Sequence, residues 1–215
     1  MLDALFSKYT FLVRKADHLF HTIQEKYPLS VRCRIRCCDC CYAIFGVFPI
    51  EAAYINYHFN RLERRMRRDI LRRAEKADAE MLKAKDALNE IFDDDPKMKV
   101  YGLGKQRVRC PFLTERKECI LYEKRPIICR IYGVPYSLKN ENKEKAYVCG
   151  FSGFQDKVTY PTVKLDKIYH ELCKLSRDLL AEAGTSNLKK ANLMLQLSRV
   201  LRMPFEAISK GDFEE

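Results

Sequence analysis

Nine of the ten cysteines in this chain of 215 residues are confined to two segments. Residues 33–41 contain Cys33, Cys37, Cys38, Cys40 and Cys41, and residues 110–149 contain Cys110, Cys119, Cys129 and Cys149. Neither segment shows a helical pattern, and irregular backbone that buries little apolar surface needs another contribution to offset the entropy lost on ordering. Metal coordination supplies one, because the free energy of binding becomes free energy of folding. We therefore predict one or two metal centres assembled from both segments.

The beginning of the chain indicates that these thiols stay reduced. Residues 1–20 carry charges throughout and lack the continuous apolar segment of a secretory signal peptide. The sequence has no run of about 18 apolar residues, so no membrane span is predicted. We expect a cytoplasmic protein, in which clustered cysteines more often bind metal or carry out redox chemistry than form disulfides. The alternative, that they are small buried apolar residues, suits one or two cysteines better than nine.

The spacing of the first segment bears on the kind of metal centre. Cys37 and Cys40 form a C-x2-C pair, which both zinc sites and iron–sulfur clusters use. Cys40 and Cys41 are adjacent, and neighbouring side chains diverge too much to share one tetrahedral zinc easily. A multinuclear cluster, or two centres, would accommodate that pair better. The pattern therefore favours an iron–sulfur cluster, with zinc as the alternative.

The spacing Cys33-x3-Cys37-x2-Cys40 is also that of radical SAM enzymes, which bind a [4Fe–4S] cluster through three cysteines. Those enzymes have an aromatic residue just before the last cysteine, where this chain has Asp39. They also need strand–helix repeats for a partial barrel, and this chain shows almost no strand pattern. This interpretation is therefore disfavoured.

Apolar periodicity predicts a mainly α fold in a single domain over 1–215, and a hydrophobic content of 47% is enough for a buried core. An amphipathic helix is predicted over residues 2–26, ending at Tyr27-Pro28. A second pattern begins at Pro49, continues to residue 91 and stops before Asp93-Asp94-Asp95-Pro96. It predicts one long helix, two helices or a helical arm over 50–92, inserted in the cysteine region of 33–150.

The C-terminal part is predicted to close the fold with two more helices. Residues 97–160 contain most of the glycines and prolines and are predicted to be loop-rich. Thr162 is the predicted N-cap of a helix that Gly184 ends, and a last helix is predicted over residues 188–201. The helices of 1–28 and 162–203 thus flank two irregular cysteine-rich loops organised by a metal centre.

The order of the motifs resembles one known family. Cys33, Cys37 and Cys40-Cys41 are followed by Cys110-Pro-Phe-Leu, Cys119-Ile-Leu-Tyr-Glu and Arg125-Pro-Ile-Ile-Cys129-Arg130. This arrangement, over residues 33 to 150, resembles the YkgJ-type family, also called the CxxCxxCC or zinc- or iron-chelating domain. The chain departs from that pattern in its first spacing of x3, in the extra thiol of Cys38 and in the Leu that precedes Tyr122.

The resemblance implies a set of metal ligands and says little about chemistry. The eight implied ligands are Cys33, Cys37, Cys40, Cys41, Cys110, Cys119, Cys129 and Cys149. Flagellin lysine-N-methylase has a similar cysteine domain, but this chain shows no independent methyl-donor site. Arg125 and Arg130 flank Cys129 and could neutralise the thiolates or donate to their sulfurs, with an ordinary salt bridge as the alternative. Catalytic residues, and whether the protein is an enzyme at all, are left open.

The basic character of the chain suggests an alternative function. The formal net charge is +11. One stretch of the long helix is crowded with arginines, namely Arg61, Arg64, Arg65, Arg67, Arg68, Arg72 and Arg73. A non-catalytic protein stapled by zinc could use them to bind an anionic partner such as nucleic acid or an acidic protein. Interspersed acidic residues equally suit a solvated helix face, and nothing indicates the oligomeric state.

Overall fold

A computed structural model describes residues 2–92, 95–140, 143–155 and 158–213. The described residues form eight α-helices and five short strands, so the chain is mainly α, as predicted. None of the helices is both long and apolar enough to cross a membrane. The helices are α1 Leu2–Lys26, α2 Pro49–Phe59, α3 Arg64–Ile91, α4 Pro96–Lys105, α5 Ile127–Ile131, α6 Leu165–Glu182, α7 Leu197–Val200 and α8 Phe205–Lys210. The strands are β1 Gly46–Val47, β2 Tyr136–Asn140, β3 Lys143–Tyr147, β4 Val163–Lys164 and β5 Leu195–Gln196.

Helix α1 has the predicted bounds, and its apolar stripe enters the core. Leu5, Tyr9 and Ala16 on that stripe are almost completely buried. The stripe packs against α2, α5 and α6. Because one face of the helix is buried, its apolar residues recur every three or four positions, and this periodicity is what predicted the helix.

The pattern from Pro49 to residue 91 is divided between two helices. Helix α2 ends at Phe59, and α3 starts at Arg64. Helix α2 is central: most of its residues are buried, and it packs against α1, α6, α7 and α8. Helix α3 is polar, with a narrow buried stripe of Ile70, Ala74, Ala77, Met81 and Leu88. The turn over residues 60–63 therefore separates a core helix from a surface helix, a difference that the shared periodicity concealed.

The region predicted to be loop-rich contains the two helices α4 and α5 and a hairpin. Helix α4 starts at Pro96, where the Asp95 carboxylate accepts a hydrogen bond from the Met98 amide at 3.0 Å. None of its residues is buried, so it has no apolar stripe to reveal it. Of the acidic run predicted to end the preceding helix, Asp93 and Asp94 lie outside the described residues. Strands β2 and β3 form an antiparallel pair, with the Tyr136 and Tyr147 rings stacked at 5.6 Å.

The predicted N-cap of helix α6 was wrong by two residues, because Lys164 occupies that position, whereas the predicted end of the helix is confirmed. Thr162 does not cap the helix, because the next two residues form β4, parallel to β2. Its hydroxyl lies 3.4 Å from that of Ser137 instead. Gly184 has a φ of +78°. The Gly184 and Thr185 amides donate to Ala181 and Leu180 carbonyls, which is the Schellman pattern.

The helix predicted over residues 188–201 is broken into smaller pieces. A 3-10 turn over Leu188–Asn192 is followed by β5, the short helix α7 and, beyond Pro204, helix α8. Strand β5 pairs with β1, so that Gly46 lies opposite Gln196. Pairing with a distant segment has replaced local helical structure, and it places α7 against α2 and α3.

Candidate metal centre

The first cysteine segment is folded into a tight turn that the second segment holds in place. Arg36 has a φ of 70°, and a 3-10 turn over Asp39–Cys41 follows. The Cys110 amide donates to the Cys41 carbonyl at 2.7 Å, and the Val108 amide donates to the Tyr42 carbonyl at 3.1 Å. Main-chain pairing therefore brings Cys40 and Cys41 beside Cys110, although 69 positions separate Cys41 from Cys110 in the numbering.

Cys119 is brought to the same place by a small loop. The Leu113 amide donates to the Cys110 carbonyl, and the Ile120 amide donates to the Phe112 carbonyl at 3.0 Å. Leu113 and Cys119 also form an isolated antiparallel bridge. These bonds turn residues 113–119 back on themselves, so that Cys110 and Cys119 face one region.

Cys129 is positioned by the buried carboxylate of Glu51. Oε1 of Glu51 accepts hydrogen bonds from the Ile127 amide at 2.9 Å and from the Tyr9 hydroxyl at 3.3 Å. Oε2 accepts from the Phe48 amide at 3.2 Å, at the start of α2. One side chain thus fixes α5, which carries Cys129, against α1 and α2.

The cysteines of both segments meet at a cavity of about 420 Å³. Six of the eight predicted ligands line it, namely Cys37, Cys40, Cys41, Cys110, Cys119 and Cys129. Adjacent Cys40 and Cys41 both reach it, because they lie in the 3-10 turn. The structure therefore brings together thiols from residues 37–41, 110–119 and α5.

The other two predicted ligands lie beside the cavity. A Cβ on Gly133 would lie 2.7 Å from Cβ of Cys33, so this cysteine packs against the backbone after α5. Cys149 Sγ donates to Asp39 Oδ2 at 3.4 Å, and Asp39 also pairs with Arg107. Cys33 and Cys149 are therefore neighbours of the six thiols and do not line their cavity.

The pKa of Cys40 is shifted in the opposite direction from those of the thiols around it. Hydrogen bonds from the Cys129 and Cys41 thiols, helped by the nearby Arg125 charge, lower the pKa of Cys40 to about 3. Burial raises the pKa of Cys110 to about 12 and that of Cys119 to about 11. The hydrogen bond to Cys40 is the main cause of the raised pKa values of Cys41 and Cys129. These hydrogen bonds therefore favour ionisation of Cys40 over that of its neighbours.

The donor set fits a metal that prefers sulfur, although the thiols do not yet converge on one point. Within the described ranges, no group of three or more His, Cys, Asp or Glu side chains is placed to hold an ion as it stands. Coordination would therefore require the cysteine side chains to rotate towards the cavity centre. Thiolate-only surroundings suit zinc and iron–sulfur clusters rather than magnesium or calcium.

The two flanking arginines have different surroundings. Arg125 lines the cavity, its guanidinium lies 3.8 Å from the Tyr122 ring centre, and its buried Nε has no acceptor among the described residues. Arg130 donates to Asp17 Oδ2 at 2.7 Å, to the Glu123 carbonyl at 2.6 Å and to the Arg125 carbonyl at 3.1 Å. Arg130 therefore forms a salt bridge with Asp17 of α1 and joins that helix to the residues before α5. For Arg130, this is the alternative to neutralising the thiolates.

Three features of the site were missed in the sequence. Asp39 binds Cys149, Glu51 holds α5, and Ala77 and Met81 of α3 form part of the cavity wall. Glu51 lies two residues after Pro49, at a position where a glutamate caps a helix, and this signal could have marked it. Nothing local marks the α3 residues, because their contacts depend on the turn at residues 60–63.

The chain matches a family model over residues 32–150, more than half of its length. The description of that family is "CxxCxxCC: Putative zinc- or iron-chelating domain". No match was found among curated proteins or among solved structures. The matched range contains all six cavity-lining cysteines, the flanking Cys33 and Cys149, and the inserted helices α2 to α4.

Proposed function

Because the chain belongs to the CxxCxxCC family of zinc- or iron-chelating domains, we propose that its thiol-lined cavity holds an iron–sulfur cluster. The observation that supports this proposal is that six thiols line one cavity. Six thiols exceed the four ligands that either one zinc or one iron–sulfur cluster takes, so the adjacent pair of Cys40 and Cys41 is what favours the cluster. A multinuclear cluster, whose irons are separated, can take both Cys40 and Cys41. Zinc is the alternative.

The remaining predicted ligands take supporting places in this proposal. Cys33 and Cys149 border the cavity, and rotation of either side chain could add a thiolate or replace one. The positive charge of Arg125 lies next to the cavity-lining cysteines and would partly neutralise the negative charge of their thiolates when metal is bound. When bound, such a cluster supplies electron transfer or a Lewis-acidic iron, so redox or metal-dependent catalysis is the proposed class of activity.

Metal analysis after anaerobic purification distinguishes the two metals. An iron–sulfur cluster gives a brown protein with iron and acid-labile sulfide in similar amounts. A colourless protein that contains zinc and no sulfide would overturn the proposal in favour of a zinc site. A protein without either metal would contradict metal binding at this cavity.

Neighbouring cysteines provide a matched test of the ligands. Cys37 lines the cavity, whereas the adjacent Cys38 does not, and both are partly exposed. Cys37→Ser is therefore expected to lose iron and sulfide, and Cys38→Ser to retain them. Cys173→Ser is a second control, because that thiol contacts Asn192 outside the site. Equal metal content in Cys37→Ser and Cys38→Ser would remove Cys37 from the ligand set.

A second candidate function, binding of nucleic acid, is supported by the start of α3. Arg64, Arg65 and Arg68 are exposed, and no acidic residue lies in the first turn of the helix. Within the described part of the chain, none of these three forms an ion pair. Arg64 and Arg65 are the first two residues of α3, where a cation opposes the helix dipole and costs about 0.3–1 kcal/mol. Binding of phosphates would offset that cost.

A salt series with two charge-matched variants tests this candidate. The triple variant Arg64→Gln, Arg65→Gln, Arg68→Gln removes three charges at the start of α3. The control, Lys76→Gln, Lys83→Gln, Lys85→Gln, removes three exposed charges farther along the same helix. In filter-binding assays with RNA or DNA, the slope of log K against log salt should become less steep by about 2 to 3 in the first variant. The slope of the control variant should equal that of the wild type. Equal slopes, or binding of an acidic protein alone, would contradict it.

A further inference from the structure

The lining of the cavity combines the thiols with buried apolar side chains. Ile55 of α2, Ala77 and Met81 of α3, and Leu197 of α7 belong to this lining and are called the apolar wall below. These four side chains are each at least nine-tenths buried in the protein as a whole. Three of these side chains have no donor atom, and the Met81 thioether is a weak ligand beside cysteine thiolates. The metal site proposed above therefore does not need this wall.

The dimensions and lining of the cavity are those of a site for a small organic molecule. Such sites usually measure about 300–1,000 Å³ and combine apolar walls with a few polar groups. The cavity of about 420 Å³ lies within that range. A metal centre held by the thiols does not use the apolar wall, which is therefore open to another occupant.

The charged residues of the lining favour an anionic group on that occupant. Lys117, Lys124 and Arg125 line the cavity, and the acidic residues of the lining are Glu118 and Glu123. Glu118 already pairs with Arg36 at 3.1 Å. The buried Nε of Arg125 has no acceptor among the described residues, and a guanidinium edge matches a carboxylate with two parallel hydrogen bonds. A single negative charge also costs less to bury than a phosphate dianion.

We propose that this cavity binds a small monocarboxylate with an apolar body. The carboxylate pairs with Arg125 beside the thiols, and the apolar body lies against Ala77, Met81 and Leu197. The inference rests on the proposed function, since the metal centre is held by the thiols, and it extends that function by naming a ligand class. A carboxylate bound there would lie next to the metal centre.

Calorimetric titration of the metal-loaded protein with octanoate tests the proposal. Octanoate should bind with a negative heat-capacity change, since apolar surface is buried. Octanol, which has the same chain without the charge, and inorganic phosphate should each bind at least about tenfold more weakly, since a site built for a polar group rejects analogues that lack it. Tighter binding of phosphate than of octanoate would overturn the ligand class. Absence of octanoate binding would overturn the site.

Variants of the apolar wall locate the binding. Ala77→Leu should weaken octanoate about tenfold or more, the effect expected from a few added methyl groups in a fitted pocket. Ala84→Leu is the matched control on the same helix outside the cavity lining, and its octanoate affinity should equal that of the wild type. Met81→Ala, which adds space, should shift the preference from octanoate to decanoate. Equal octanoate affinities in Ala77→Leu and Ala84→Leu, or an unchanged chain-length preference in Met81→Ala, would contradict this position.

Arg125→Gln should weaken octanoate and leave octanol unchanged. Metal and sulfide are measured on every variant, which separates the two proposals. Octanoate binding to a protein that contains only zinc would refute the iron–sulfur cluster and keep the ligand site. A protein with a full cluster that does not bind octanoate would refute the ligand site alone.

Discussion

At the scale of single residues, two buried ionisable side chains hold the cysteine-bearing helix α5 in place. Glu51 accepts hydrogen bonds from α1, from α5 and from the residue before α2. Arg130 joins α1 to the chain just before α5. Buried polar and ionisable groups persist only where their hydrogen bonds are satisfied, so these contacts fix geometry that apolar packing alone would leave adjustable.

The first prediction concerns the pH dependence of stability through Glu51. Burial raises the pKa of Glu51 from 4.5 to about 7, so the folded protein keeps this proton where the unfolded chain has lost it. The retained proton stabilises the folded state fully below pH 4.5. As the pH rises from 4.5 to about 7, the free energy of unfolding should fall by about 3 kcal/mol. Urea unfolding across this window should show the loss in the wild type and not in Glu51→Gln. Equal pH slopes in the two proteins would contradict it, and Glu75→Gln serves as the exposed control.

The second prediction concerns Arg130, whose side chain is 7% exposed. Arg130→Met leaves Asp17 and two carbonyls without their donor, and breaking a buried pair costs about 3–5 kcal/mol. We expect denaturant unfolding to show a loss near the lower end of that range, since Asp17 is 34% exposed. Arg202→Gln breaks the more exposed pair with Asp78 and should cost at most about 1 kcal/mol. Similar losses in both variants would be inconsistent with this difference.

At the scale of elements, short pairings between distant segments determine where the cavity wall lies. Strands β1 and β5 are only two residues each, yet they bring α7 next to the residues before α2. Ser198 and Arg202, which follow β5, both bond to the Asp78 carboxylate of α3. The C-terminal part is thereby attached to the helix that forms the apolar wall.

The third prediction tests the close approach of β1 and β5. A Cβ on Gly46 would lie 2.6 Å from Cβ of Met194 and 3.1 Å from its carbonyl carbon, so Gly46→Ala should cost about 1–3 kcal/mol. Gly104→Ala is the matched control in α4, where a Cβ meets nothing within 4 Å. It should instead gain about 0.5–1 kcal/mol, since alanine favours a helix. Thermal unfolding measures both, and a neutral Gly46→Ala would contradict the close approach.

At the scale of the whole molecule, the metal centre would join parts of the chain on either side of an insertion. Residues 37–41 precede helices α2 to α4, and Cys110, Cys119 and Cys129 follow them. The apolar core is formed mainly by α1, α2 and α6 with the C-terminal elements. Stability is therefore expected to have two sources: core packing, and coordination of the cysteine segments.

The fourth prediction follows from these two sources. Chelation under anaerobic conditions should lower the melting temperature, because a ligand that binds only the folded state stabilises it. Hydrogen exchange should accelerate most at residues 37–41 and 110–129, while α1 and α6 keep their protection. In Cys37→Ser, which lacks one of the proposed ligands, chelation should change the melting temperature little. An unchanged melting temperature in the wild type would exclude a structural role for the metal.

What local sequence determined is the type of structure and the composition of the site. Helix α1, the start of α2 at Pro49 and the end of α6 at Gly184 were predictable, because apolar period, proline and glycine act within a few residues. The cysteine motifs likewise identified the thiols, six of which line one cavity, since their spacing is itself the signal.

Only the tertiary structure decided which way the chain turns and what faces the cavity. The break between α2 and α3, the β1–β5 pairing that replaced a predicted helix, and the partners of Arg130 depend on residues far apart in sequence. The apolar wall has the same origin, because Ala77 and Met81 reach the cavity through the turn at residues 60–63. Local patterns report the free energy of short segments, whereas these features come from long-range contacts that form only when the segments pack together.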